Sequence, residues 1–280
     1  MIRHQPLSGP LTFTIILPVN TSPDNEQVTY NLRFRLDGEE FQGRMCISAE
    51  PMRIADFLPV IQSFSNVLIY AAAQQMEKKG LKITCRIGCN ACCRQVIPIS
   101  ESEAVYLAEL VKSMPSQKQI EVRRRFQETI NKLEESGHLQ QSRRIKNLEK
   151  VQPEHRLQLE KSRQQIPCPF LENECCMIYP QRPMICREYL VTSPSSHCYD
   201  QGQKKIDRVP LPAQLSSILI RLGDGVGKDR MRWLPIELAL EWTKQNQPTA
   251  RKTFAGPYLF ENFFRQLCQV EFQNKTGQTS

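Results

Sequence analysis

Four thiols fall within nine residues. The segment Cys85-Arg-Ile-Gly-Cys89-Asn-Ala-Cys92-Cys93 separates its cysteines by three, two and no intervening residues. Two or three residues between thiols let a loop fold both sulfurs onto one ion, at metal–sulfur distances of about 2.3 Å. Gly88 suits such a loop because a tight metal-binding turn often needs a positive φ. Cys92 and Cys93 are adjacent and point in different directions, so they suit two ions or neighbouring irons. A second group follows about 75 residues later: Cys168, the pair Cys175-Cys176, Cys186 and the dipeptide His197-Cys198. The candidate metal ligands are Cys85, Cys89, Cys92, Cys93, Cys168, Cys176, Cys186 and Cys198, with His197 as a ninth and Cys175 as a substitute for Cys176. Eight thiols suit two four-thiolate centres, whereas seven or fewer suit one iron–sulfur cluster with an open position. Arg86, Arg94 and Arg187 flank the thiols and favour their ionised form. Cys46 and Cys268 stand apart, on a β segment and an amphipathic helix, and read as core residues. His4, His138 and His155 lie on polar segments and carry no such signal.

Composition narrows what these thiols do. The chain has 280 residues, of which 40% are apolar, 24% charged and eleven are cysteine. That is ordinary for a globular protein apart from the cysteine, and it excludes collagen-like, coiled-coil and wholly disordered chains. The cysteine content is too low for a small disulfide scaffold, and the count is odd. The longest unbroken apolar run, Val67 to Ala73, is far short of a membrane span. The stretch Phe13–Leu17 is interrupted by Thr14 and closed by Pro18, which makes a poor export signal. The expectation is a cytoplasmic protein without a membrane segment, in a reducing compartment where clustered cysteines hold metal or do redox work. The formal net charge of +8 invites a nucleic-acid reading. Eight thiolates on two divalent ions would lower it to about +4, so the basic excess partly compensates thiolate charge.

The elements that must position these residues follow from periodicity. Thr12–Leu17, Val28–Leu36 and Glu40–Ser48 alternate and are rich in β-formers, with Asp37-Gly38 as a hairpin turn. From Ile54 the apolar residues recur at three and four through Ala72, a helix that runs to Lys79 and stops at Gly80. Ser100 and Glu103 form a capping box for a helix through Val111. Pro115 restarts the chain, and Val122, Phe126, Ile130 and Leu133 stripe a helix that reaches about Ser136 and ends at Gly137. A polar helix over about 139–151 follows, then helices near 212–222, 235–246 and 257–270 joined by Gly223–Gly227 and Gln247-Pro248. The fold class is α+β: a mostly helical cysteine-cluster region with a small antiparallel β-rich element at its N-terminus. The expected organisation is residues 1–80 as β-meander plus helix. Residues 81–280 then form a metal-binding domain with a helical insertion at about 100–165 and a helical C-terminal region.

CRIGCNACC, then CPFL, then the run from Cys176 through Ile-Tyr, Arg182-Pro183, Cys186-Arg187 and Tyr189, and a later Cys198, resemble the YkgJ-like cysteine-cluster proteins, whose CxxCxxCC domain chelates zinc or iron. The resemblance covers about 40% of the chain, from Cys85 to Cys198. It implies a bound metal ion, zinc or iron, the latter also as a 4Fe-4S cluster. The family's single cysteine before Ile-Tyr falls on Cys176, which leaves Cys175 as an extra. The first spacing here is Cys-x₃-Cys rather than Cys-x₂-Cys, so Cys85 departs from the pattern. Physically, Pro183 stiffens the approach to Cys186, and Arg182 and Arg187 are placed to donate hydrogen bonds to sulfur.

Three functional classes compete. The first is a cytosolic metal-binding protein whose centre is structural, redox-active or used in metal handling. The second is an enzyme, since one branch of the family is similar to flagellin lysine N-methylases; a protein partner or substrate follows from either. Gly223–Gly227 follows a helical pattern and lacks the strand and spacing of a nucleotide loop. Cys85-x₃-Cys89-x₂-Cys92 has the spacing of radical enzymes, but the alternating strands and helices of their barrel are missing. The third is a nucleic-acid module. It is disfavoured because no aromatic residues interleave with Arg123–Arg125 and Arg143-Arg144 for bases to stack on.

Overall fold

The computed structural model describes residues 12–16, 27–36, 39–137, 139, 166–199, 204–222 and 233–276. Strands β1 (Thr12–Ile16), β2 (Gln27–Leu36) and β3 (Glu39–Ser48) form an antiparallel meander in that order. Its turn at 37–38 lies outside the described residues, as do the polar helix expected after 139 and the glycine-rich stretch 223–227. Across β2 and β3, Val28 pairs with Ile47 and Tyr30 with Met45, while Thr29 pairs with Cys46. Side chains alternate across a strand. Val28, Tyr30 and Ile47 therefore enter the core, and Cys46 faces outward beside the Thr29 hydroxyl at 3.5 Å. The reading of Cys46 as a core residue is corrected: the register puts it on the wrong face. The side chain of Cys268 is outside what the structure describes.

Helix α1 (Ile54–Lys78) runs as its periodicity dictates and ends two residues before a left-handed Gly80, at φ 71°. Asp56 accepts the Arg53 backbone N–H at 2.9 Å, which caps the first turn. By length and composition α1 is the one described helix apolar enough to cross a membrane, with a mean hydropathy of 1.3 over its best window. Counting unbroken apolar runs missed this, because Gln62, Ser63, Ser65 and Asn66 interrupt them. In the fold, α1 is the central core helix: Phe57, Leu58, Ile61, Phe64 and Leu68 are all buried.

Strand β4 (Pro51–Met52) precedes α1. Strand β5 (Pro98–Ser100) leads into α2 (Glu101–Ser113), capped by Ser100 and Glu103, and α3 (Ser116–Glu135) follows. A hairpin of β6 (Leu171–Glu172) and β7 (Cys175–Cys176) then precedes the short helix α4 (Met184–Glu188). The C-terminal part holds α5 (Leu215–Leu222), β8 (Trp233–Pro235), α6 (Ala239–Gln245), α7 (Gln247–Ala250), β9 (Phe254–Ala255) and α8 (Gly256–Thr276). Strand β4 pairs with β9 and β5 with β8, so segments distant in sequence share short ladders.

Two apolar cores result. The larger joins β2, β3 and α1 to α5 and α8, with Met184 of α4 at its edge. Its densest point is aromatic: Phe260 stacks on Tyr30 at a centroid distance of 3.9 Å and lies 4.6 Å from Phe264. Gly256 opens α8 where an added Cβ would meet the Ser48 carbonyl oxygen at 1.9 Å, so only glycine fits against the end of β3. The second core gathers α2, α3, β5, β8 and the start of α6 around Phe126 and Phe170, and it contains Cys168. Truncation of Phe260 to alanine empties the aromatic centre of the larger core. The expected loss is about 3–5 kcal/mol of unfolding free energy, measured by urea denaturation of the reduced protein.

Candidate metal centre

The first cysteine cluster folds as two consecutive turns. The Cys89 N–H donates to the Arg86 carbonyl at 2.9 Å, and Gly88 takes φ 89°, the left-handed backbone its sequence position requires. The Cys93 N–H then donates to the Asn90 carbonyl at 2.9 Å, and Ala91–Arg94 form a 3₁₀ turn. In the second cluster, Asn173 and Glu174 adopt positive φ of 47° and 61°, which makes β6–β7 a two-residue hairpin of the mirror-image type. Asparagine tolerates that backbone readily and glutamate does not. The Glu174 carboxylate is tied down instead: it accepts from the Asn90 amide and from Arg94 at 3.0 Å, and Tyr199 donates to the Asn90 amide oxygen.

These bonds stitch the clusters together. The Cys168 N–H donates directly to the Cys93 carbonyl at 2.7 Å. Thr84 donates its N–H to Val191 at 3.0 Å and its hydroxyl to Ser193 at 2.6 Å, and the Gln95 side chain donates to the Cys198 carbonyl at 3.3 Å. From the other side, Glu172 accepts from Lys118 and Arg125, both at 2.5 Å, and so fastens the hairpin to α3.

Helix α4, which carries Cys186, is held by three elements. The buried Glu103 carboxylate accepts the Met184 N–H at 2.7 Å while also accepting from Ser100. Arg187 donates to Asn66 of α1 at 3.0 Å, to the Arg182 carbonyl at 3.1 Å and to the Pro180 carbonyl. Glu188 accepts from the N–H and hydroxyl of Ser216 at 3.1 and 2.5 Å, at the start of α5. Burial raises the Glu188 carboxyl to about 7, against the bonds from Ser216. The expectation that Arg187 donates to sulfur is thus replaced, because its guanidinium bonds Asn66 and two backbone carbonyls.

A pocket opens between the clusters, lined by Cys85, Cys89, Cys92, Cys186 and Cys198 with Arg182 and Tyr179 among its walls. Cys198, Cys85 and Cys89 pack with Ala91 and Val191 on one side. Cys168, Cys93, Cys176 and Cys186 pack into the second core on the other. Cys92 lies between. Its charge acts on Cys85 and Cys198 in the first group and on Cys93, Cys168, Cys176 and Cys186 in the second. The eight sequence-derived candidates therefore lie around the pocket and the adjoining core, with Cys186 common to both. Cys175 is exposed, with its sulfur 3.9 Å from where a Cβ on Gly88 would sit. His197 uses Nδ1 on the Lys205 carbonyl at 2.9 Å and does not line the pocket.

All ten described cysteines are free thiols. The Cys93 thiol donates to the Cys92 sulfur. That bond, aided by Arg182 and opposed by burial, pulls Cys92 down to about 7 and pushes Cys93 far up. Burial also raises Cys85, Cys168, Cys176 and Cys186, and lifts Cys198 to about 11. The soft, all-sulfur donor set suits zinc or iron rather than a hard oxygen-seeking ion. Among the described residues, however, no three Cys, His, Asp or Glu groups stand where one ion could already be held. The fit lies in donor chemistry and backbone convergence. Loading requires the thiols to turn inward and release protons.

The links that sequence reasoning missed are Asn90–Glu174–Tyr199 and Glu103–Met184. The first had no signal beyond Asn90 following a cysteine. The second hides behind a capping box that accounts for Glu103 without it. Residues 84–206, a little under half of the chain, match the CxxCxxCC family, described as "Putative zinc- or iron-chelating domain". No curated protein and no solved structure matches the chain.

Replacement of Glu103 by alanine leaves the buried Met184 N–H without its acceptor, an expected cost of about 1–3 kcal/mol in urea unfolding. Burial holds the Glu103 carboxyl above its ordinary 4.5, so the native state keeps a proton that the unfolded state releases. Its contribution is full in acid and declines as pH rises through the raised value. Glu103→Gln should flatten that decline in unfolding measured across the acid-to-neutral range.

Proposed function

With residues 84–206 forming a CxxCxxCC domain, we propose that the protein is a zinc- or iron-thiolate protein with two adjoining four-sulfur centres. Cys85, Cys89, Cys92 and Cys198 form the outer set, and Cys93, Cys168, Cys176 and Cys186 form the inner set, whose Cys186 also reaches the pocket wall. The observation that carries this reading is that thiols from both clusters border one pocket and one apolar core, which adjoin at the Cys92-Cys93 pair. Four thiolates satisfy the tetrahedral preference of zinc, and equally the ligand count of an iron–sulfur cluster.

The residues divide the work. The inner set packs against Phe170, Ile178 and Ile99 of the second core, which excludes water and favours a structural, slowly exchanging ion. The outer set faces the pocket, where an ion or cluster could exchange metal or electrons with a partner. Bound metal would supply charge that holds the thiolates ionised in this poorly hydrated setting. A reducing, cytoplasmic compartment would keep such clustered thiols available for metal.

The test is the double variant Cys92→Ser, Cys186→Ser, which removes one sulfur from each set. Protein purified without oxygen should carry zinc or iron at a fixed ratio to chain and should lose thermal stability on chelation. The variant should retain less than half of that metal, read by elemental analysis. Equal metal in the variant, or a wild-type chain with thiols oxidised in pairs and no metal, would contradict the reading.

A further inference from the structure

The two arginines of the second cluster lie close together and do different things. Arg187 is committed to Asn66 and two carbonyls, and Glu103 acts on it electrostatically. Arg182 has no carboxylate partner among the described residues. Its guanidinium lies over the Tyr179 ring at 4.0 Å, and its Nε–H is buried without a hydrogen-bond acceptor. The positive charge of Arg182 also bears unfavourably on Arg187. A stacked guanidinium at a pocket wall, beside a second cation and lacking an anion, is incompletely neutralised.

What faces it is sulfur. Arg182 lines the pocket with Cys85, Cys89, Cys92, Cys186 and Cys198. Four of these sulfurs belong to the outer set and Cys186 to the inner one, so one guanidinium borders both. Arg208, stacked on Tyr189 at 4.4 Å, acts on Cys198. Arg94 is paired with Glu174 and is not free for the role.

We propose that Arg182 is the shared counter-cation of both thiolate sets. Tyr179 holds the guanidinium flat against the seam between them, and the unspent Nε–H donates to a sulfur once the thiols are ionised. Arg182 is a positioning residue, acting through the ligands. Four thiolates around a divalent ion carry a net charge of −2, and a fixed cation at the seam offsets part of it for both centres. This inference rests on the thiolate reading above.

The test uses the full chain, reduced and loaded with cobalt(II), whose thiolate charge-transfer absorption reports sulfur ligation, in competition with a chelator. Arg182→Met keeps length and loses charge, whereas Arg182→Lys keeps charge and loses the planar donor. Arg182→Met should bind cobalt about 10-fold or more weaker, within the range for residues that support metal ligands. The melting temperature of its metal-free form should stay unchanged, and Arg182→Lys should recover most of the affinity. Wild-type affinity in Arg182→Met would overturn the inference and leave the thiolate reading standing. Equal losses in both variants, with a destabilised metal-free form, would overturn it in favour of packing on Tyr179. A wild-type protein without charge-transfer absorption would sink the thiolate reading, and the inference with it.

Discussion

Sulfur beside sulfur at the adjacent pair Cys92-Cys93 is the constraint around which the centre is organised. Cys93 packs on an apolar core beside Cys168, Cys176 and Cys186, while Cys92 lines a pocket with Cys85, Cys89, Cys198 and again Cys186. A direct backbone bond from the Cys168 N–H to the Cys93 carbonyl fixes the second cluster to this divide. Everything else serves to hold segments some 75 residues apart in that arrangement. Without the anchoring, thiols in low-dielectric surroundings would have neither water nor metal to favour their charged form.

The anchoring is distributed so that each ligand-bearing piece is tied to a rigid element. The Cys186 helix is tied to α2 by Glu103, to α1 by Arg187 and to α5 by Glu188. The Cys175-Cys176 hairpin is tied to α3 by Glu172 and to the first cluster by Glu174. Both apolar cores thereby reach the site. Preorganisation of this kind lowers the ordering cost of binding. Proton release from the raised thiols remains the main opposing term.

Much of this was legible in the residues, for definable reasons. The α1 stripe, the Gly80 and Gly137 stops and the Ser100–Glu103 cap are local patterns, and the structure reproduces them within a residue or two. The cysteine spacings are local as well, and so was the need for a left-handed Gly88. What escaped is non-local or too short to carry a period. The ladders β4–β9 and β5–β8 are two or three residues long and join distant segments. Cys46 was misplaced because its strand was recognised but its face was not assigned. That α1 is apolar enough for a membrane escaped a run-length criterion that four polar residues defeat. The different fates of Arg182 and Arg187 depend on partners that no spacing encodes.

The chemistry the site offers is electrostatic at root. Buried sulfur resists ionisation, one shared proton between Cys92 and Cys93 eases it, and Arg182 adds a fixed positive charge at the seam. A divalent metal completes the balance. The most direct measurement is X-ray absorption at the metal edge of protein purified without oxygen, combined with the metal-to-chain ratio. The account predicts a first coordination shell made of sulfur alone, four atoms per metal or cluster iron, with more than one metal atom per chain. A shell dominated by nitrogen or oxygen would contradict it.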